Sequence, residues 1–208
     1  MKYLLILLLL VVMTVLNSGC SVFLDNNSET NKIIMTSKDV QNNGDKKVDS
    51  HVIAAKQALS IGDYVKTIEE ATVAIKDNAN NAEAYSIRGF ATALNGDTAK
   101  GLADTKKAYD LDPNNVANYY NMAMVYKLQG QLQESKQWFE KVLEKDPSNT
   151  WSVYGIATIY ADQGDDTKAL DWLEKAINID PSVKAVAAEQ DHFERFHNNA
   201  RFKTLVGL

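Results

Sequence analysis

"AEAYSIRGFATALNGDTAKGLADTKKAYDLDPNN", residues 82–115, decides how the rest of the chain is read. Its first part carries helix-forming residues up to Leu94, and "NGD" then supplies a turn. A second helical stretch follows and stops at "LDPNN", because Pro113 cannot continue a helix and asparagines favour turns. The plan is therefore helix, Gly-Asp turn, helix, proline stop. It recurs. Pro113, Pro147 and Pro181 lie 34 residues apart, as do Gly62, Gly96, Gly130 and Gly164. Asp63, Asp97 and Asp165 follow three of those glycines.

Cutting the chain on this ruler yields four units without insertion, residues 48–81, 82–115, 116–149 and 150–183. Small residues repeat within them. The eighth place holds Ala55, Gly89, Ala123 and Ala157, and the twentieth Thr67, Gly101, Ser135 and Ala169. The twenty-seventh holds Ala74, Ala108, Val142 and Ala176. Small side chains on facing helices allow close approach. Tyr126, Phe139, Tyr160 and Leu173 are placed to fill the gaps beside them in the last two units. A hairpin with one such seam cannot bury it alone, so successive units have to stack.

Period, glycine, alanine and proline together resemble the tetratricopeptide repeat. The resemblance covers residues 48–183. It implies an all-α fold, a right-handed α-α superhelix of four helix-turn-helix units, with capping helices over residues 184–208. Unit one departs from the family pattern, with Ala58, Ala71 and Ala79 where the family favours two aromatics and a proline. Unit two has Thr92 and Thr105 at the first two of those places. Looser packing is expected in that half. Arg88 stands at a seventh place otherwise held by Ala54, Met122 and Ile156, and a lone buried charge would be costly. Asp104, sixteen residues on in the facing helix, is its expected partner.

After Pro181 the rhythm breaks. "KAVAAEQDHFERFHNNARFKTLVGL" predicts a helix to about Phe196, a turn at Asn198-Asn199 and a short last helix. Phe193, Phe196 and Phe202 make it an apolar lid for the open end of a solenoid.

The N-terminal part is of another kind. Lys2 precedes an almost unbroken apolar run from Leu4 to Leu16, then "NSGCS". That run rises roughly 20 Å as a helix, against roughly 30 Å of bilayer hydrocarbon, so it reads as an export signal over residues 1–19. Cys20 is the chain's only cysteine. Ser18, Gly19 and Cys20 resemble the lipobox of bacterial lipoproteins, with Leu16 and Asn17 where one large apolar residue is usual. That resemblance implies lipidation of Cys20, an extracytoplasmic site in the cell envelope and a membrane anchor. Ser21 resembles the signal for the outer membrane in a two-membrane cell; with one membrane the chain would sit on its outer face. Residues 20–47 read as the lipidated cysteine and a polar tether, with "KIIM" at 32–35 a small apolar island.

Composition narrows function. The chain carries a formal charge of −5 and its lysines and arginines are dispersed, which argues against a nucleic-acid surface. His192 and His197 are five apart, roughly 140° on a helix, a poor arrangement for a shared metal. With Cys20 assigned to lipid and every recurrent glycine to a turn, no catalytic constellation is found, no cofactor is implied and no metal site is expected.

In the family's architecture the first helix of each unit lines a concave groove. The fifth, ninth and twelfth places form one face at helical spacing. They are Val52, Lys56 and Leu59; Ser86, Phe90 and Ala93; Tyr120, Met124 and Lys127; Tyr154, Thr158 and Ala161. Trp151 flanks the last set. Relatives that grip acidic C-terminal tails use Lys, Asn and Arg here, and apart from Lys56, Lys127 and Asn121 this stripe lacks them. Lys56, Phe90, Tyr120, Met124, Lys127, Trp151 and Tyr154 are the candidate partner-binding residues, for an extended or helical segment of a protein. The resemblance implies a scaffold in envelope, pilus or secretion assembly. A second reading is a regulator docking on cell-wall synthases or hydrolases, and a third a small-ligand or metal-binding lipoprotein using the C-terminal histidines.

Overall fold

A computed structural model of the chain describes residues 49–208. The proposed signal segment, Cys20 and the tether lie outside the described residues. Those residues are helical throughout, with no strand among them. The first helices of the four units are α1 (Ser50–Ser60), α3 (Ala82–Leu94), α5 (Val116–Leu128) and α7 (Thr150–Gln163). Their partners are α2 (Tyr64–Asp77), α4 (Thr98–Leu111), α6 (Leu132–Lys145) and α8 (Asp166–Ile179). The tail holds α9 (Val183–Glu189), a 3₁₀ helix (Asp191–Phe196) and α10 (Ala200–Val206). No helix of the described residues is long and apolar enough to cross a membrane.

The recurrent Gly-Asp pair has a physical explanation. Gly96 adopts φ 102° to end α3, a left-handed conformation that costs glycine little. Asp97 then turns its side chain onto the backbone N–H of Lys100 and caps α4. Asp63 and Asp165 cap α2 and α8 in the same way. Gln131, which breaks the pattern, makes no capping hydrogen bond. Asparagines do this work after each proline or its equivalent. Asn81, Asn115 and Asn149 accept from the first turns of α3, α5 and α7.

Every small residue at the eighth, twentieth and twenty-seventh places is buried. In unit two the approach is backbone on backbone: a Cβ built on Gly101 would lie 2.6 Å from the Gly89 carbonyl oxygen. The expected looseness is therefore absent from that hairpin, because glycine on both helices lets them close the gap that larger residues would fill. Arg88 is paired as expected. Its Nε and one terminal nitrogen donate to the two oxygens of Asp104 at 2.7 and 2.9 Å.

Large side chains gather toward the C terminus. Phe139 is fully buried with Ile156 and Ile159, so one ring of unit three packs beneath the first helix of unit four. Leu173, Val183, Phe193, Phe196 and Phe202 form the last cluster with Tyr154. The tail differs from expectation in one respect. The α-helix ends at Glu189, Gln190 is extended, and residues 191–196 are 3₁₀. In a 3₁₀ helix residues three apart eclipse one another, which puts Phe193 and Phe196 on one side, facing Phe202.

Candidate partner-binding groove

The stripe predicted at the fifth, ninth and twelfth places is divided into three stretches. In the first, Lys56 is half-buried and forms an ion pair with Glu83 of the next unit. Leu59 packs between the core of the first hairpin and that of the second.

The middle stretch is apolar. Phe90 is buried with Ala93 and Val125, and Met124, Leu59, Leu94 and Leu102 close around it. Met124 also packs with Tyr120 and Phe139, and Tyr120 meets Phe139 edge-on at 5.6 Å between ring centres. Burial pushes the Tyr120 hydroxyl well above the usual phenol range. Phe90, Met124 and Tyr120 thus form one strip across α3 and α5. Ser86, beside them, accepts a hydrogen bond from Asn121 at 2.9 Å.

The third stretch is covered by the chain itself. Tyr154 is 8% exposed and lies under Phe193 of the tail, with Trp151 edge-on at 5.7 Å. The Tyr154 hydroxyl and the Trp151 indole nitrogen are buried without a hydrogen-bond partner. Lys127 reaches from α5 to the Thr158 hydroxyl and donates to His192 Nε2 at 3.3 Å. His192 Nδ1 is 2.5 Å from an oxygen of Asp162. His192 thus bridges Lys127 and Asp162 through its two ring nitrogens. Desolvation pulls the Lys127 ammonium down to about 8, opposed by the Asp162 carboxylate.

Of the seven candidate residues, the structure therefore brings Phe90, Tyr120 and Met124 together. Lys56 and Lys127 are engaged with Glu83 and with Thr158 and His192, and Asn121 is turned toward Ser86. Trp151 and Tyr154 belong to the contact with the tail. His192 and Asp162 join the groove's end although no local pattern marks them, since their contact spans 30 residues. His197 is elsewhere: it stacks on Phe202 and contacts the Ala188 carbonyl oxygen. Among the described residues, no group of three or more His, Cys, Asp or Glu side chains could hold a metal ion.

The helical hairpins share the fold of solved tetratricopeptide repeat structures. Residues 115–182 match the family model described as "Tetratricopeptide repeat". Solved structures with this fold include Pseudomonas aeruginosa PilF, with TM-score 0.63 and 14% identity, over 76% of this chain and 72% of that one. A MamA structure aligns with TM-score 0.56 and 18% identity, over 76% of this chain and 85% of that one. YrrB, described as a tetratricopeptide protein with an unusual peptide-binding site, aligns with TM-score 0.53 and 14% identity, over 74% and 80%. No curated protein sequence matches the chain.

Proposed function

We propose that this chain is a lipid-anchored, extracytoplasmic scaffold that holds a segment of a protein partner in its concave groove during assembly of an envelope, pilus or secretion complex. One observation carries the binding part: Met124 and Tyr120, half-buried on α5 over the buried Phe90 of α3, form an apolar strip bounded by engaged polar groups at both ends. Aromatic and methionine side chains supply much binding energy for little ordering cost and adapt to the segment they meet. The peptide-binding site named for YrrB, which shares the fold, supports the same reading. The membrane part is supported by the Leu4–Leu16 run and the Ser18-Gly19-Cys20 stretch just after it.

A photo-crosslinking residue at Met124 should capture one dominant protein, whereas the same residue at Lys107 on α4 should not. Tyr120→Ala should reduce the capture at least tenfold with helicity unchanged. Equal capture from both positions would remove the groove from the account. The identity of the captured protein separates an assembly component from a cell-wall enzyme. Labelling with radioactive palmitate, lost in Cys20→Ser, tests the anchor.

A further inference from the structure

The 34-residue ruler can be carried forward past Pro181. A fifth unit would begin at Lys184, and its fifth, ninth and twelfth places, those of the groove face, are Ala188, His192 and Arg195. The structure keeps this register at the ninth place. Lys127, twelfth in unit three, reaches both Thr158, ninth in unit four, and His192, ninth in the fifth. The tail therefore extends the groove face by one step, and it does so with polar side chains.

An open cavity of about 410 Å³ lies at that step, between α7 and the 3₁₀ helix. Ala161 and Asp162 wall it on one side, and Asp191, His192, Glu194 and Arg195 on the other. Ala161, His192 and Arg195 are groove places, so the cavity is the end of the groove. Its charges are not balanced from within. The Arg195 guanidinium donates to Asp166 at 2.6 Å and lies over the ring of Phe196. Asp162 is held by His192, and its charge also acts on the Lys127 ammonium behind. Among the described residues, the exposed carboxylates of Asp191 and Glu194 make no hydrogen bond or ion pair. A second unmet polar group stands close by. The Tyr154 hydroxyl is buried without a hydrogen-bond partner, and burial together with the Asp162 charge raises its ionisation, so it lies within reach of that carboxylate.

We propose that this cavity takes a lysine or arginine side chain of the protein segment whose apolar residues lie on Tyr120 and Met124, a role that presupposes the apolar strip as the binding face. Carboxylates without partners at the end of a groove draw a cation in and turn acidic segments away. The spacing follows from the helix. From Tyr120 to Lys127 is roughly 10 Å along α5, and Lys127 touches His192 on the cavity wall. An extended segment covers that distance in about three to four residues, which sets the interval between its apolar anchor and its cation. Because Asp191 and Glu194 are exposed, the preference is modest and weakens with salt.

Two kinds of probe test this on the full chain in detergent. In nuclear magnetic resonance, N-acetyl-lysine methylamide should shift the amide signals of Asp191, His192 and Glu194, and the uncharged N-acetylnorleucine methylamide should not. Fluorescent peptides with two phenylalanines and a lysine four residues to one side or the other carry the test into the groove. One orientation should bind about threefold more tightly than its norleucine counterpart. Asp191→Asn with Glu194→Gln should erase that difference and leave the affinity of the norleucine peptide unchanged. Amide signals indifferent to the lysine probe would overturn the proposal, as would equal affinity of lysine and norleucine peptides or a lysine preference that survives the double substitution. Amide shifts with the lysine probe, but no binding of any peptide, would uphold the cation site and overturn the apolar strip as the binding face.

Discussion

In units one and two, the twenty-third place holds Glu70 and Asp104, and each carboxylate meets a basic side chain on the facing helix, His51 at 2.7 Å and Arg88 at 2.7 Å. In units three and four the same place holds Trp138 and Trp172, which pack beside Phe139, Ile156 and Ile159. One half of the molecule joins its helices with small residues and polar pairs, the other with large apolar rings. The difference matters because burial of apolar area contributes about 25 cal/mol per Å², whereas a half-exposed ion pair contributes little net. The C-terminal half, closed by the tail, should be the rigid part. The N-terminal half, its first hairpin above all, should open and adjust more readily despite the close glycine crossing of unit two, and the groove strip runs between the halves.

The largest effect is expected at the tail. Phe193 is fully buried against Tyr154, Phe196 and Phe202, so Phe193→Ala should cost about 3–5 kcal/mol in denaturant unfolding and loosen the cover over Tyr154. A loss below about 1 kcal/mol would mean that the tail is not part of the core. Next is the glycine crossing of unit two. Gly101→Ala places a methyl against the Gly89 carbonyl and should cost about 1–3 kcal/mol, whereas alanine already fills the twentieth place in unit four at Ala169.

The polar pair of the N-terminal half is expected to rank third. Asp104→Ala leaves Arg88 partly buried beside Tyr85 and should cost about 2 kcal/mol, while Arg88→Met with Asp104→Leu should recover most of it. Failure of the double substitution to recover would show that the pair contributes more than mutual compensation. Lys127 offers a test in pH. Its folded-state value near 8 lies below the ordinary 10.5, so the unfolded chain holds the proton longer. Stability should therefore rise between pH 8 and 9.5, by about 1 kcal/mol, relative to Lys127→Met. A parallel course for the two proteins would contradict the burial of that ammonium. The smallest effect is a gain: Gln131→Asp restores the cap that α6 lacks and should stabilise by about 0.5–1 kcal/mol.

Much of this was legible because repetition converts sequence spacing into spatial distance. The Arg88–Asp104 pair could be read from the sixteen-residue interval between the seventh and twenty-third places, since every hairpin fixes that relation. The burial of the small seam residues followed for the same reason. The groove was legible only as a face. Which of its members touch one another, and that Tyr154 is covered by Phe193, depend on how the tail returns across the stack. No repeat register governs that return. Reading the tail as one α-helix to Phe196 missed the 3₁₀ segment because helical propensity there is ordinary; the demand to bury three phenylalanines together decides the geometry.

Site-resolved hydrogen exchange under native conditions tests most directly whether large shared side chains make one half rigid and leave the other adjustable. Protection should be highest in α7 and α8 and should fall by at least tenfold toward α1 and α2, with α3 and α5 between them. Uniform protection along the stack, or protection greatest in α1 and α2, would contradict the account.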